Sequence, residues 1–218
     1  MAADIPLSKL AISGRRYSDD EVSSAYGSRG CSTHSPSAAR PGPISDQMRA
    51  GFEECGYRLA TNDGMGLAPK ALIETYPHPA LLHLLGEHYR VPYKVDRSRN
   101  YYPNSTPEAR REKILEKLRE IHAGLSRVIS GVTIDFPGSQ PSRAILKSIE
   151  DRIDALVCAW VGIRALAGKA LAMGDSNSAI WLPSDWCAFF LSEMRASEDV
   201  MKNVEDLPVQ ERAFWKDA

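Results

Sequence analysis

Residues 70–89 read KALIETYPHPALLHLLGEHY, and this stretch decides the fold class. Lys70 to Tyr76 is a short run of strand-compatible residues. Pro77 stops it, because proline lacks the N–H that strand pairing needs, and His78-Pro79 then opens the apolar helix that follows. A strand that feeds a helix through a tight proline turn is an α/β unit. Inside that strand Glu74 is out of place: alternation puts it on the same face as Leu72 and Tyr76.

Toward the C-terminus the pattern predicts two long helices. The first runs from Thr106 to about Ile129, with Thr106 as cap, Pro107 in the first position, and Ile114, Leu118, Ile121, Leu125 and Ile129 at helical spacing. The second covers roughly Ser142 to Met173. Its later half, Ala155 to Ile163, is apolar nearly all round and is expected to be deeply buried. A short strand, Ala179 to Leu182, ends at Pro183, and the charged tail from about 195 reads as peripheral.

Toward the N-terminus, Ser45 to about Gly56 reads as a helix capped by Ser45, with Met48, Phe52 and Cys55 on one face. Residues 13–43 are rich in Ser, Gly, Pro and Arg, with at most a short helix near Asp19 to Tyr26. This excursion is either a solvated loop or a substrate-facing one, in which Arg15, Arg16, Arg29 and Arg40 bind phosphates and Tyr17 or His34 stacks. Residues 1–8 look like the end of a strand, since Pro6 blocks further central pairing.

The whole chain has 218 residues, enough for a single domain over 1–218 with a sizeable core. Lys and Arg total 27 against 28 for Asp and Glu, so no global positive field advertises a polyanionic partner. Four widely spaced cysteines form no CxxC pair, which argues against a zinc ribbon or a disulfide scaffold. No apolar stretch suits a secretory leader or a membrane span, so the expectation is a cytoplasmic protein with no membrane association. The sequence does not specify oligomeric state.

Asp154 is the strongest chemical signal. Between Ile153 and Ile163 it is the only ionisable side chain, and a bare buried carboxylate must be neutralised by a proton, a cationic partner or a metal. Asp151 and Glu150, three and four residues earlier, let the helix present two or three carboxylates to one side. Asp4 closes a third apolar segment. Together Asp4, Glu74 and Asp154 suit oxygen ligation of Mg²⁺ or Mn²⁺. Each also has a plainer reading: Asp4 as a strand-end turn former, Glu74 paired with an arginine, Asp154 capping a neighbouring loop.

ADIPL at 3–7, Arg15-Arg16 with Asp19, GSRGCSTHSP at 27–36, IETYPHPAL at 73–81, IDALVCAW at 153–160 and IWLP at 180–183 together resemble one family. It is the domain of unknown function 429, predicted nucleases with a ribonuclease-H-like fold. The resemblance implies a mixed sheet flanked by helices, with Asp4, Glu74 and Asp154 as catalytic metal ligands, Asp151 as a further ligand, and nucleic acid as substrate. Arg15, Arg16 and Arg29 are the candidates for substrate binding. Ribonuclease-H-like proteins begin with strands that carry another catalytic aspartate, so the expectation here is a sheet lacking its N-terminal strands, with an open edge at Asp4. Two functions follow: a metal-dependent nuclease, or a catalytically inactive domain that binds nucleic acid or protein. Phosphoryl transfer on a small molecule ranks behind both, for want of a glycine-rich phosphate loop.

Overall fold

Every residue of β3 (Ala71–Thr75) is buried, as expected of a strand covered on both faces. In the computed structural model, which describes residues 1–64 and 66–184, β3 is the strand around which the sheet is built. β1 (Ala2–Ala3) pairs parallel to it on one side and β5 (Ala179–Pro183) on the other. β4 (Ala170–Gly174) runs antiparallel to β5, and β2 (Arg58–Leu59) lies parallel to the first half of β3. The expected mixed α/β sheet flanked by helices is what the chain forms.

Alternation along the strands sorts the core into two faces. Ile73, Thr75 and Trp181 point toward α5 (Pro107–Val128) and α6 (Arg143–Leu166). There Ile114, Leu118, Ile121 and Leu125 interlock with Leu146, Ile149, Ile153 and Val157 in the main core. On the opposite face Met173, Ile180 and Leu182 pack on Val22 of α1 (Tyr17–Tyr26), while Leu72 packs with Leu7 and Leu59 against Met48 and Phe52 of α2 (Pro43–Glu54). α3 (Pro77–Leu85) begins with Pro77 at its first position and stops at Gly86, whose φ of 69° closes the helix. A strap from Val91 to Tyr102, containing the short helix α4 (Ser98–Tyr101), leads into α5.

The expected Thr106 cap is present, its side chain accepting from the Ala109 N–H, and Ser142 caps the second long helix in the same way, accepting from the Ile145 N–H. Other expectations need correction. α6 ends at Leu166 and not near Met173, because Gly168 (φ 68°) turns the chain into β4. Burial of its later half is one-sided, with Ala155, Ala159, Ile163 and Leu166 exposed. α2 starts two residues before Ser45 because Pro43 takes the first helical position, and Cys55 is exposed. The excursion at 13–43 is not simply solvated, since α1 fills much of it and Val22, Asp19 and Cys31 are buried. The tail from about 195 lies outside the described residues. No helix among those described is long and apolar enough to cross a membrane.

The β4–β5 hairpin depends on Gly174, whose φ is 145° and where an added Cβ would sit 2.1 Å from the Ser178 carbonyl oxygen. Gly174→Ala is expected to destabilise by upwards of about 2 kcal/mol, from strain and clash together. Gly51→Ala, on an open face of α2, is expected to stabilise by roughly 0.5–1 kcal/mol through helix propensity. Urea unfolding midpoints of the two variants should therefore move in opposite directions.

Candidate functional site

The carboxylates singled out by the sequence fall on two faces of β3. Glu74 points away from α6, toward the segment that follows β1 and toward α1. Its Oε1 and Oε2 accept from Arg16 Nη2 and Nη1 at 2.8 and 2.6 Å, and Oε2 also accepts from the Leu7 N–H at 2.7 Å. Arg16 in turn donates to both oxygens of Asp19, at 2.9 Å each, and to the Leu7 carbonyl at 2.7 Å. These five bonds use every N–H of the guanidinium.

The cluster therefore holds one cation against two carboxylates in buried surroundings. Burial pushes the Glu74 carboxyl up, to about 7, against the pull of Arg16 and the Leu7 N–H and with the help of the charge on Asp19. Burial also acts to lower Arg16, but its bonds to the two carboxylates outweigh that and leave it raised. The partners thus move in opposite senses, the guanidinium more firmly charged than in water and the carboxylate less so. Glu74 paired with an arginine was the plainer reading, and it is the one the geometry matches.

Asp154 lies on the other face. Its Oδ1 accepts from the Tyr93 hydroxyl at 2.7 Å and its Oδ2 from Lys94 Nζ at 2.5 Å. One turn earlier on α6, buried Glu150 accepts from the Val95 N–H at 2.7 Å and from Lys147 Nζ at 2.8 Å, and Lys94 Nζ stands 3.6 Å away. Asp151, exposed, pairs with Lys147 at 2.7 Å. Glu150, Asp151 and Asp154 each place a carboxylate oxygen within 4.8 Å of the others, so this acidic group can hold a divalent cation. Burial raises the Asp154 carboxyl, opposed by Lys94 and Tyr93.

Asp4 follows β1 at the end of the sheet where Asp154 lies. Among the described residues its carboxylate makes no hydrogen bond or ion pair, and its charged neighbours are Asp154 and Lys94. Crowding in the cleft mouth, then the charge on Asp154, lifts it to about 6, although water reaches much of its surface and moderates the effect. Asp4 stands between two clefts. One, of about 600 Å³, runs along the apolar side of α6 past Asp154, Cys158 and Ile163. The other, of about 550 Å³, has Arg16 and Glu74 among its lining with His34, Arg40 and Arg97.

The structure thus brings Asp4, Asp154 and Asp151 to one side of the sheet and leaves Glu74 on the other. Arg16 is saturated by its own carboxylates. Arg15 bonds to Asp20, Ser23 and the Asp19 carbonyl, and Arg29 lies in the turn after α1, where its carbonyl accepts the Arg90 N–H. Neither Arg15 nor Arg29 lines the cleft beside Asp4, so these three arginines do not form one anion site. Other groups are chemically quiet. Burial pushes the Cys158 thiol up to about 12, with the Thr75 hydroxyl donating to its sulfur at 3.0 Å. Burial and Arg90 hold His78 down at about 2, so its Nε2 accepts from Arg90 Nη2 at 2.6 Å.

Sequence reasoning missed Lys94 and Tyr93, which stand 60 and 61 positions from Asp154. The only signal was the demand of a buried carboxylate for some partner, which does not say where along the chain that partner lies. Asp19 was noticed only as part of a motif, since its bond to the Arg16 N–H looks like an ordinary helix start.

Two substitutions separate the roles in the Arg16 cluster. Arg16→Met leaves two buried carboxylates without a cation and is expected to cost about 3–5 kcal/mol, whereas Glu74→Gln leaves a one-to-one Arg16–Asp19 pair and a folded protein. A carboxyl whose folded pKa is raised contributes stability fully below its unfolded value and loses that contribution as pH rises through the folded value. For Glu74 the window lies between its ordinary 4.5 and about 7. Melting temperature followed across that window should fall more steeply in the wild type than in Glu74→Gln.

The chain belongs to the family described as Protein of unknown function (DUF429), whose match covers residues 1–178. No curated protein matches it, and no solved structure does.

Proposed function

We propose, with membership of this family as the premise, that the chain is a metal-dependent nuclease: Asp4 and Asp154 hold a divalent cation, Mg²⁺ or Mn²⁺, with Glu150 and Asp151 beside them. The observation that carries this reading is Asp4, a carboxylate with neither hydrogen bond nor ion pair among the described residues, set against a second carboxylate. Four carboxylates, Asp4, Glu150, Asp151 and Asp154, face two ammonium groups, Lys94 and Lys147. The excess of two negative charges equals the charge of one divalent cation, and an all-oxygen donor set suits a hard ion.

Such a cation, when bound, polarises a phosphoryl oxygen and lowers the pKa of water. The protein's own groups would do the rest. Lys94 places a fixed positive charge beside the carboxylates, where negative charge on phosphate oxygens would otherwise be repelled. Arg40 and Arg97 line the adjoining cleft and would hold a phosphate next to the one attacked. Tyr93, buried and bonded to Asp154, fixes the orientation of that carboxylate.

A second reading has its own support. Both oxygens of Asp154 already have donors, Tyr93 and Lys94, so this carboxylate is satisfied within the fold without a metal. That arrangement suits a domain that binds nucleic acid or protein and does not cleave.

Calorimetric titration with Mn²⁺ separates the two. On the nuclease reading, wild type and Glu74→Gln bind the ion saturably, while Asp4→Asn and Asp154→Asn weaken binding by about tenfold or more. Affinity in the wild type falls as pH drops through 6, because protons compete for Asp4. Metal-stimulated cleavage of oligonucleotides is lost in the same two variants. Absence of Mn²⁺ binding in the wild type would hand the site to the second reading.

A further inference from the structure

The chain's near-zero net charge conceals a local accumulation of arginine. A groove of about 430 Å³ lies between the strap at residues 95–99 and the first turns of α5 and α6, and Arg99, Arg110, Arg111 and Arg143 line it with Asp96. Two of the four have carboxylate partners: Arg143 pairs with Asp96 at 2.5 Å and Arg111 with Glu108 at 3.2 Å. Both carboxylates are well exposed, so these pairs are screened and readily exchanged. Arg110 reaches only the Thr106 carbonyl, at 3.4 Å. Arg99 makes no hydrogen bond or ion pair among the described residues. The groove keeps two positive charges in excess.

Their placement opposes helix stability. Helix N-termini favour acids and disfavour cations, yet the first turn of α6 contains no acid and begins with Arg143. Within the fold Arg143 is answered only by exposed Asp96, a screened pair that leaves the guanidinium open to exchange for another anion.

The groove also adjoins the site. Arg97 lines the cleft beside Asp4, while Asp96 and Arg99, its near neighbours in the strap, line the groove. Lys94, at the head of the same strap, holds Asp154. One phosphate would fill only one of these places, and a row of phosphates joined at regular spacing would span all of them. Guanidinium groups match phosphate oxygens in pairs better than ammonium groups do, and no lysine lines the groove. The geometry points to a second contact surface on which the phosphodiester backbone of a nucleic acid tracks away from the carboxylate site, across the 95–99 strap and over the N-terminal turns of α5 and α6. This rests on the nucleic-acid reading of the site but not on cleavage.

The test is fluorescence anisotropy with labelled single-stranded and duplex oligonucleotides, the full chain, and EDTA present so that nothing is cut. The comparison is among wild type, the triple variant Arg99→Gln, Arg110→Gln, Arg143→Gln, and Arg49→Gln, each shown to be folded by its melting curve. Wild type is expected to bind one or both oligonucleotides, more weakly from about 50 to about 200 mM salt. The triple variant should lose on the order of tenfold in affinity or more, with a salt slope smaller by roughly 2–3, as three lost phosphate contacts require. Arg49→Gln, which removes an arginine on α2 that lines neither cleft nor groove, should bind like wild type. A triple variant in which the arginines become lysines should keep most of the salt slope.

The proposal is overturned if the triple glutamine variant binds with wild-type affinity and slope, if the wild type binds neither oligonucleotide, or if polyglutamate or anionic vesicles compete equally well. The two readings fail separately. Lost binding in the triple glutamine variant without metal-stimulated cleavage by the wild type would keep this surface and remove the nuclease, and cleavage with unchanged binding would do the reverse.

Discussion

One guanidinium holds the site end of the sheet together. Arg16 spends all five donors on Glu74 in β3, Asp19 in α1 and the Leu7 carbonyl, while Glu74 also takes the Leu7 N–H. The segment after β1, the start of α1 and the distant strand β3 meet at a single charge. Without it, two buried carboxylates would face each other, a cost on the order of several kcal/mol. The bond to Leu7 also fixes the path of the chain just beyond Asp4, so the position of the carboxylate that opens onto both clefts depends on this cluster.

The opposite face of β3 follows a different logic. α6 carries its acids one turn apart, and the strap at residues 93–95 is fastened to them by a hydroxyl, an ammonium group and a backbone N–H. The strap then continues into α4 and α5. The same carboxylates therefore anchor the connection between the sheet and the long helices and supply the acidic group beside Asp4. Thr75 lies between these two clusters along β3, its hydroxyl turned to Cys158 of α6, which is why the two sets of charges do not mix.

How much of this could be read in the residues varied with the range of the interaction. Local signals were legible: the YPHP turn, the Thr106 cap, and the stripe Ile114, Leu118, Ile121 and Leu125 each depend on neighbours a few residues away. The misplaced carboxylates Glu74 and Asp154 were also legible, because burial of charge is visible against an apolar background. Their partners were not. Arg16 stood in a stretch that composition marks as loop, and nothing in RRYSDDE distinguishes the arginine that folds inward from Arg15, which bonds at the surface. Lys94 belonged to a segment without periodicity. The end of α6 was misplaced for a related reason: ALAGKALAM is apolar apart from Lys169, so the break at Gly168 and the return as β4 change the conformation with little change in the hydrophobic pattern.

The contrast between the two clusters is what gives the carboxylate pattern functional meaning. In the Glu74 cluster each carboxylate oxygen has a donor and the guanidinium has no N–H left over, so the arrangement is complete and additional ligands would have to displace it. In the α6 cluster Glu150 and Asp154 are also satisfied, but Asp4 beside them is not, and the sum of charges leaves two negatives over. A protein that needed these acids only to hold its strap could stop at Glu150 and Asp154, where Tyr93, Val95 and the lysines already answer them. Asp4 adds repulsion to that cluster and makes no hydrogen bond or ion pair among the described residues. Asp4 is exposed, so water offsets that repulsion when nothing else is bound, and a cation from solution would offset it further, whatever reaction the site serves.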